Sequence, residues 1–210
     1  MNYEIFQRIN GWAGHFGLID TVMVALSNSV PYIVLALMLY LWFGGDQKKR
    51  MDQRYTALYT VFTSALALCV NAVIHLIYYH PRPFVSHHVH QLVPHAADSS
   101  FVSDHAVLVF AIAWTVLFRN DRLKYPIFIW AILVGLSRIY VGVHFPADVL
   151  GSILLACMTS ILVMYFSKRL EPLVQFLIRT YNQFSNFFIR HEKDNGDKEK
   201  AEEDNKISWR

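Results

Sequence analysis

Residues 125–166 read YPIFIWAILVGLSRIYVGVHFPADVLGSILLACMTSILVMYF. Two apolar runs, Tyr125–Val141 and Phe145–Phe166, flank a short turn that holds Gly142 and His144. Each run approaches the roughly 20 residues that carry an α-helix across about 30 Å of hydrocarbon. Only Arg138 and Asp148 are charged in this stretch, and both lie close to the turn. A charge near membrane depth is costly, so such a placement points to function. Three more apolar runs precede it: Leu18–Phe43, interrupted near Asn28 and Pro31, then Tyr55–Tyr79 and Asp104–Phe118. The expected fold is therefore all-α, a polytopic transmembrane helix bundle with about five strong spans. Met1–His15 adds an N-terminal interfacial helix, with Ile5, Phe6, Ile9 and Trp12 at helical spacing but too little apolar length to cross.

Composition agrees with a lipid solvent. Of 210 residues, 54% are hydrophobic and 17% charged, against roughly 25% charged in soluble domains. A net charge of +3, spread over loops, gives no footprint for nucleic acid. Cys69 and Cys157 fall inside apolar runs and read as small buried residues, not as a disulfide or zinc pair. The start of the chain, with Glu4 and Arg8, does not resemble a cleavable signal.

Basic residues give the expected orientation. Lys48, Lys49, Arg50 and Arg54 lie between the first two spans; Arg119, Arg122 and Lys124 lie between the third and fourth; Lys168 and Arg169 follow the fifth. By the positive-inside rule these regions are cytoplasmic, and the loop 80–103 and the turn at His144 face outward. Three segments follow: a membrane-embedded domain over 1–169, an amphipathic cytoplasmic helix over 170–190, and a disordered charged tail over 191–210.

The outward ends of the spans collect Arg82, Ser103, His105, Arg138, His144 and Asp148. His144 and Asp148 are four apart at a helix start and share a face. A carboxylate on one ring nitrogen would orient the imidazole and make the other a better nucleophile. Ser103 stands at an N-cap position, where free backbone N–H groups favour an anion. His105 can give a proton to a leaving oxygen, and the two arginines offer forks that match phosphate. His75 and Asp104 stand close by, with roles left open between site and scaffold. His87, His88, His90 and His95 crowd the outward loop, but their spacing follows no zinc pattern. A transporter reading would call for paired repeats and polar groups near mid-membrane, which the sequence does not display.

Ser137-Arg138, His144 and Asp148 fit the pattern SR-x5-H-x3-D without gaps. Phe101-Val102-Ser103-Asp104-His105 is close to PSGH, and Pro81-Arg82-Pro83 to the end of K-x6-RP. In these three motifs, over about residues 55 to 166, the chain resembles the type 2 phosphatidic acid phosphatases. His75 falls where that family has Lys, Val102 where it has Pro, and Asp104 where it has Gly. Asp104 and the His95-Ala96-Ala97-Asp98 stretch are similar to the bacitracin-resistance branch of bacterial undecaprenyl-diphosphate phosphatases. The resemblance implies a multi-pass protein of the bacterial cell membrane with an extracytoplasmic site and undecaprenyl diphosphate as lipid substrate. It also implies that His144 attacks phosphorus, Asp148 orients it, and His105 protonates the leaving lipid phosphate. Arg82, Ser103 and Arg138 then hold the phosphoryl oxygens, with no metal or cofactor. Phosphatidate and phosphatidylglycerol phosphate stay open as substrates, and a homodimer stays open as an assembly.

Overall fold

The computed structural model describes residues 1–44 and 49–208, with side chains through residue 187. It divides into two compact units, Met1–Phe166 and Ser167–Arg210. Every regular element among the described residues is a helix: α1 (Asn2–Asn10), α2 (Gly17–Asn28), α3 (Val30–Phe43), α4 (Arg50–Ile77), α5 (Pro83–Ser86), α6 (Asp104–Phe118), α7 (Lys124–Tyr140), α8 (Pro146–Tyr165) and α9 (Ser167–Ser208). Apart from α5, a single turn after Arg82, and the end of α9, each element falls where apolar periodicity places one.

The interruption near Asn28 and Pro31 is a bend of 52° between α2 and α3. Pro31 sits in the first turn of α3 and cannot donate a backbone bond back across the break. Ser29, at the break, donates its hydroxyl to the Leu26 carbonyl at 2.7 Å. The same hydroxyl accepts from Trp130 Nε1 at 3.1 Å, which ties the bend to α7.

The first unit is built around α6, which packs on α4, α7 and α8. Ala106, Ala111 and Ala113 let the neighbours close in, while Val107, Val109, Phe110, Ile112 and Val116 fill the remaining space. Gly151 of α8 allows a close approach. A Cβ there would come within 2.7 Å of the Val102 side chain and 2.8 Å of Phe101, so α8 seats directly on the loop ahead of α6. The outer faces are apolar as well: Leu150, Leu154, Met158 and Ile161 of α8 and Val73, Leu76 and Ile77 of α4 are exposed. Lipid tails suit such faces as well as protein would.

By length and composition, α4 and α8 can each cross a membrane, and the bent α2–α3 pair makes a third span if it is one unit. The expected count of five also needs α6 and α7, which have 15 and 17 residues. At 1.5 Å per residue, α6 covers roughly 22 Å, short of a full bilayer core.

Two local expectations change. Cys69 is exposed on α4 rather than buried; Cys157 is partly covered. The amphipathic helix over 170–190 belongs to α9, which is also helical over 191–208, where a disordered tail is the expectation. That segment is rich in Glu and Lys, good helix formers even without an apolar stripe. Lys48 lies outside the described residues.

Candidate active site

One end of the bundle gathers the close of α4, the loop into α6, the turn between α7 and α8, and α1. Gly142 makes the turn possible. Its φ is +84°, and a Cβ would fall 2.7 Å from the His90 carbonyl oxygen. Asn10 of α1 braces the same place, donating to the carbonyls of His90 and Tyr140, both at 2.8 Å, and accepting from the His90 N–H at 3.0 Å. Asn2 accepts from Ala147 N–H at 3.0 Å. The N-terminal helix is thus a strap across this end.

His144 is 2% exposed, and its partners fix its state. Nδ1 lies 3.0 Å from the Ser100 carbonyl oxygen, an acceptor only, so Nδ1 carries the proton. Nε2 lies 3.0 Å from Arg82 NH1, a donor only, so Nε2 carries the lone pair. Burial, against the pull of Asp148 and reinforced by Arg82 and Arg138, lowers the His144 pKa to about 3. The ring is neutral at any physiological pH.

Asp148 does not bond His144 directly. Its Oδ2 stands 3.6 Å from Nδ1, beyond hydrogen-bond reach. That oxygen accepts from Phe145 N–H at 2.8 Å and, in a very short bond, from the Ser100 hydroxyl. The shared face expected from i, i+4 spacing is present; the contact is bridged.

Both arginines are buried, Arg82 at 1% and Arg138 at 3% exposure. Arg82 donates Nε to Asp98 at 2.7 Å and NH1 to the Val143 carbonyl at 3.1 Å. Although partial burial pushes the Asp98 carboxyl up, the bond to Arg82 and its charge hold it below the usual range. Arg138 donates NH1 to Ser27 of α2 at 2.6 Å. Its Nε and NH2 are buried without a partner. A guanidinium so placed is short of acceptors, and an incoming anion supplies them.

Ser103 caps α6, accepting from Ala106 N–H at 3.5 Å, and its carbonyl accepts from Ser152 of α8 at 3.2 Å. His105, in the first turn of α6, is partly buried within electrostatic reach of Arg138, His95, Asp104 and Arg82. The loop histidines disperse. His87 stacks on Tyr3, His90 meets His15, and His95 stands edge-on to His144 with ring centres 6.1 Å apart.

Residues 56–172 match the PAP2 superfamily. The chain belongs to that superfamily. It is 40% identical over 186 residues to undecaprenyl-diphosphatase BcrC of Bacillus subtilis (strain 168), covering 89% of this chain and 94% of that one. It is 25% identical over 202 residues to a Bacillus licheniformis protein named bacitracin transport permease protein BcrC, covering 95% and 97%. The crystal structure of Aquifex aeolicus LpxE superposes with a TM-score of 0.66 at 26% identity, covering 78% of this chain and 94% of that one.

Within this PAP2 frame, the positions that depart from the motifs have structural work. His75, where the family has Lys, turns to the cradle backbone: Nε2 lies 3.0 Å from the Val102 carbonyl oxygen. Asn71, one turn earlier on α4, donates to the same carbonyl at 3.2 Å and to Asp104 Oδ1 at 2.6 Å. Asp104 is thereby turned aside onto α4. Its charge still acts on His105 and Arg138, and His75 braces the loop. Ser100, Asp98, Ser27 and Asn71 were not singled out from the sequence as site residues. None has a helical or motif spacing to its partner, although Asp98 closes the His95-Ala96-Ala97-Asp98 stretch.

Proposed function

We propose that this protein is an undecaprenyl-diphosphate phosphatase that forms a phosphohistidine at His144 and returns the lipid carrier to wall synthesis as undecaprenyl phosphate. One observation carries the reading: a buried neutral imidazole presents its Nε2 lone pair toward Arg82, beside an Arg138 with two unpartnered donors. That is a nucleophile set among phosphate ligands. The substrate rests on the printed name of the Bacillus subtilis relative, at 40% identity over most of both chains.

In the free site Arg82 NH1 covers the lone pair. A terminal phosphoryl group offers better acceptors, and NH1 moves to its oxygens, which frees Nε2. Nε2 then bonds phosphorus as the bridging P–O bond breaks, and His105 gives its proton to the departing lipid phosphate. Arg138 Nε and NH2 and the N-terminus of α6 hold the equatorial oxygens as charge develops. Water, deprotonated by His105, releases inorganic phosphate and restores His144.

The site faces the extracytoplasmic side in this proposal, with five crossings, on the asymmetry of basic residues. A cysteine replacing Ser86 should react with an impermeant thiol reagent in intact cells, and one replacing Gln47 should not. The reverse pattern removes the outward site. Expression of the protein should also raise bacitracin resistance.

The deciding assay is phosphate release by purified protein from undecaprenyl diphosphate, phosphatidate and phosphatidylglycerol phosphate in one detergent. The diphosphate should be preferred. The Bacillus licheniformis name raises transport as a second reading. Bacitracin movement into proteoliposomes without phosphate release would favour it.

A further inference from the structure

We infer that Ser100 is a positioning residue through which Asp148 acts on His144. This rests on the proposed phosphohistidine chemistry.

Ser100 is fully buried, and all three of its polar groups are engaged. Its N–H donates to the His80 carbonyl at 2.7 Å. Its carbonyl accepts the Nδ1 proton of His144 at 3.0 Å. Its hydroxyl donates to Asp148 Oδ2 and sits 3.4 Å from Nδ1. Neighbouring Ser99 locks the backbone on the other side, donating to the Tyr78 carbonyl at 3.1 Å and accepting from His80 N–H at 3.2 Å. The segment is clasped from the α4 side, and its carbonyl is aimed by the carboxylate on the α8 side.

The carbonyl, not the carboxylate, sets the tautomer. With Nδ1 protonated, the lone pair must lie on Nε2, the atom facing Arg82 and the phosphoryl position. When the Nε2–phosphorus bond forms and the bridging P–O electrons leave with the lipid phosphate, the ring becomes cationic and keeps its Nδ1 proton. That positive charge is spread into the bond to the Ser100 carbonyl, with the Asp148 charge 3.6 Å behind it. Should the hydroxyl be lost, the carbonyl is no longer tied to Asp148, and the carboxylate loses a donor in a buried place. Substrate binding by the arginines does not depend on either group.

Ser100→Ala keeps the backbone partners and removes only the bridge. It should lower kcat about 10–100-fold, the order seen when an outer hydrogen-bond partner that orients a working side chain is removed. KM, and inhibition by inorganic phosphate, should stay within about threefold of wild type, because the phosphate ligands are untouched. The loss should persist on an aryl phosphate, since a better leaving group does not stabilise the imidazolium. Asp148→Asn combined with Ser100→Ala should be no more than about threefold slower than the worse single variant, because both remove one linked unit. Ser100→Cys, with a weaker donor of similar size, should fall between Ala and wild type and remains usable if Ser100→Ala does not fold. Multiplying losses in the double variant, or wild-type kcat in Ser100→Ala and Ser100→Cys, overturns the inference. An active His144→Ala would instead overturn the phosphohistidine reading on which it rests.

Discussion

The two ends of the helix bundle use arginine in opposite ways. At one end Arg82 and Arg138 are almost wholly buried and fixed by Asp98, Val143 and Ser27. At the other, Arg119 lies over the ring of Tyr59 and Arg122 over that of Tyr40, at 5.4 and 5.2 Å. Arg122 is exposed, and Arg119 reaches Thr56 only at 3.5 Å. A guanidinium over an aromatic face, close to solvent, suits an interfacial anchor. A buried guanidinium with two empty donors is costly unless something fills them. The same residue type therefore signals chemistry at one end and placement at the other, and burial draws the distinction.

The harshest test of that contrast is His144→Ala. Turnover should fall to background on undecaprenyl diphosphate and on an aryl phosphate alike, as read by phosphate release. A remaining burst of product would assign the nucleophile elsewhere.

His105→Ala should cost about 10²–10⁴-fold on the lipid diphosphate, the usual span for general acid assistance. On an aryl phosphate, whose leaving group needs little help, the loss should shrink. Equal losses on both substrates would leave His105 as a phosphate ligand or a helix-start residue.

Arg138→Ala should lower kcat about 10²–10³-fold, as removal of a preorganised donor does. Arg138→Lys should recover little, because one ammonium cannot reach Ser27 and still offer two donors to phosphate. Arg119→Ala, at the opposite end, should stay within about twofold. Comparable damage at the two ends would break the comparison outright.

The smallest effect is on stability. His144 has a folded pKa of about 3 against an ordinary value of 6.5, so between those values the unfolded chain binds a proton that the folded protein refuses. Stability must therefore be highest above pH 6.5 and fall as pH drops toward 3. Asp98, whose carboxyl is held low by Arg82 despite partial burial, adds loss in the same direction at acid pH. Thermal unfolding in detergent should shift down by several degrees from pH 7 to pH 4, about the size expected for a kcal/mol-scale change in one domain. His144→Gln should flatten part of that slope; an unchanged slope would mean that another group carries it.

Much of this molecule could be read from its residues. Apolar run length defined the helices, with α6 at Asp104–Phe118 as expected and α7 and α8 within a residue of it at each end. The break at Asn28 and Pro31 announced the α2–α3 bend, since Pro fits the first turn of a helix but cannot donate back to a preceding one. The ungapped motif around Arg138, His144 and Asp148 marked the candidate site, because helical spacing and a short turn leave little freedom in where those side chains go. What tertiary structure decided lies in contacts between segments far apart in the chain. Ser27 meets Arg138 across 111 residues, Ser100 bridges to Asp148 across 48, and Asn71 takes Asp104 across 33. No periodicity encodes such pairs. They arise because a buried donor or acceptor must find a partner in whatever segment packing brings near it, and that packing settled His75, open in the sequence between site and scaffold, as a brace for the Val102 carbonyl.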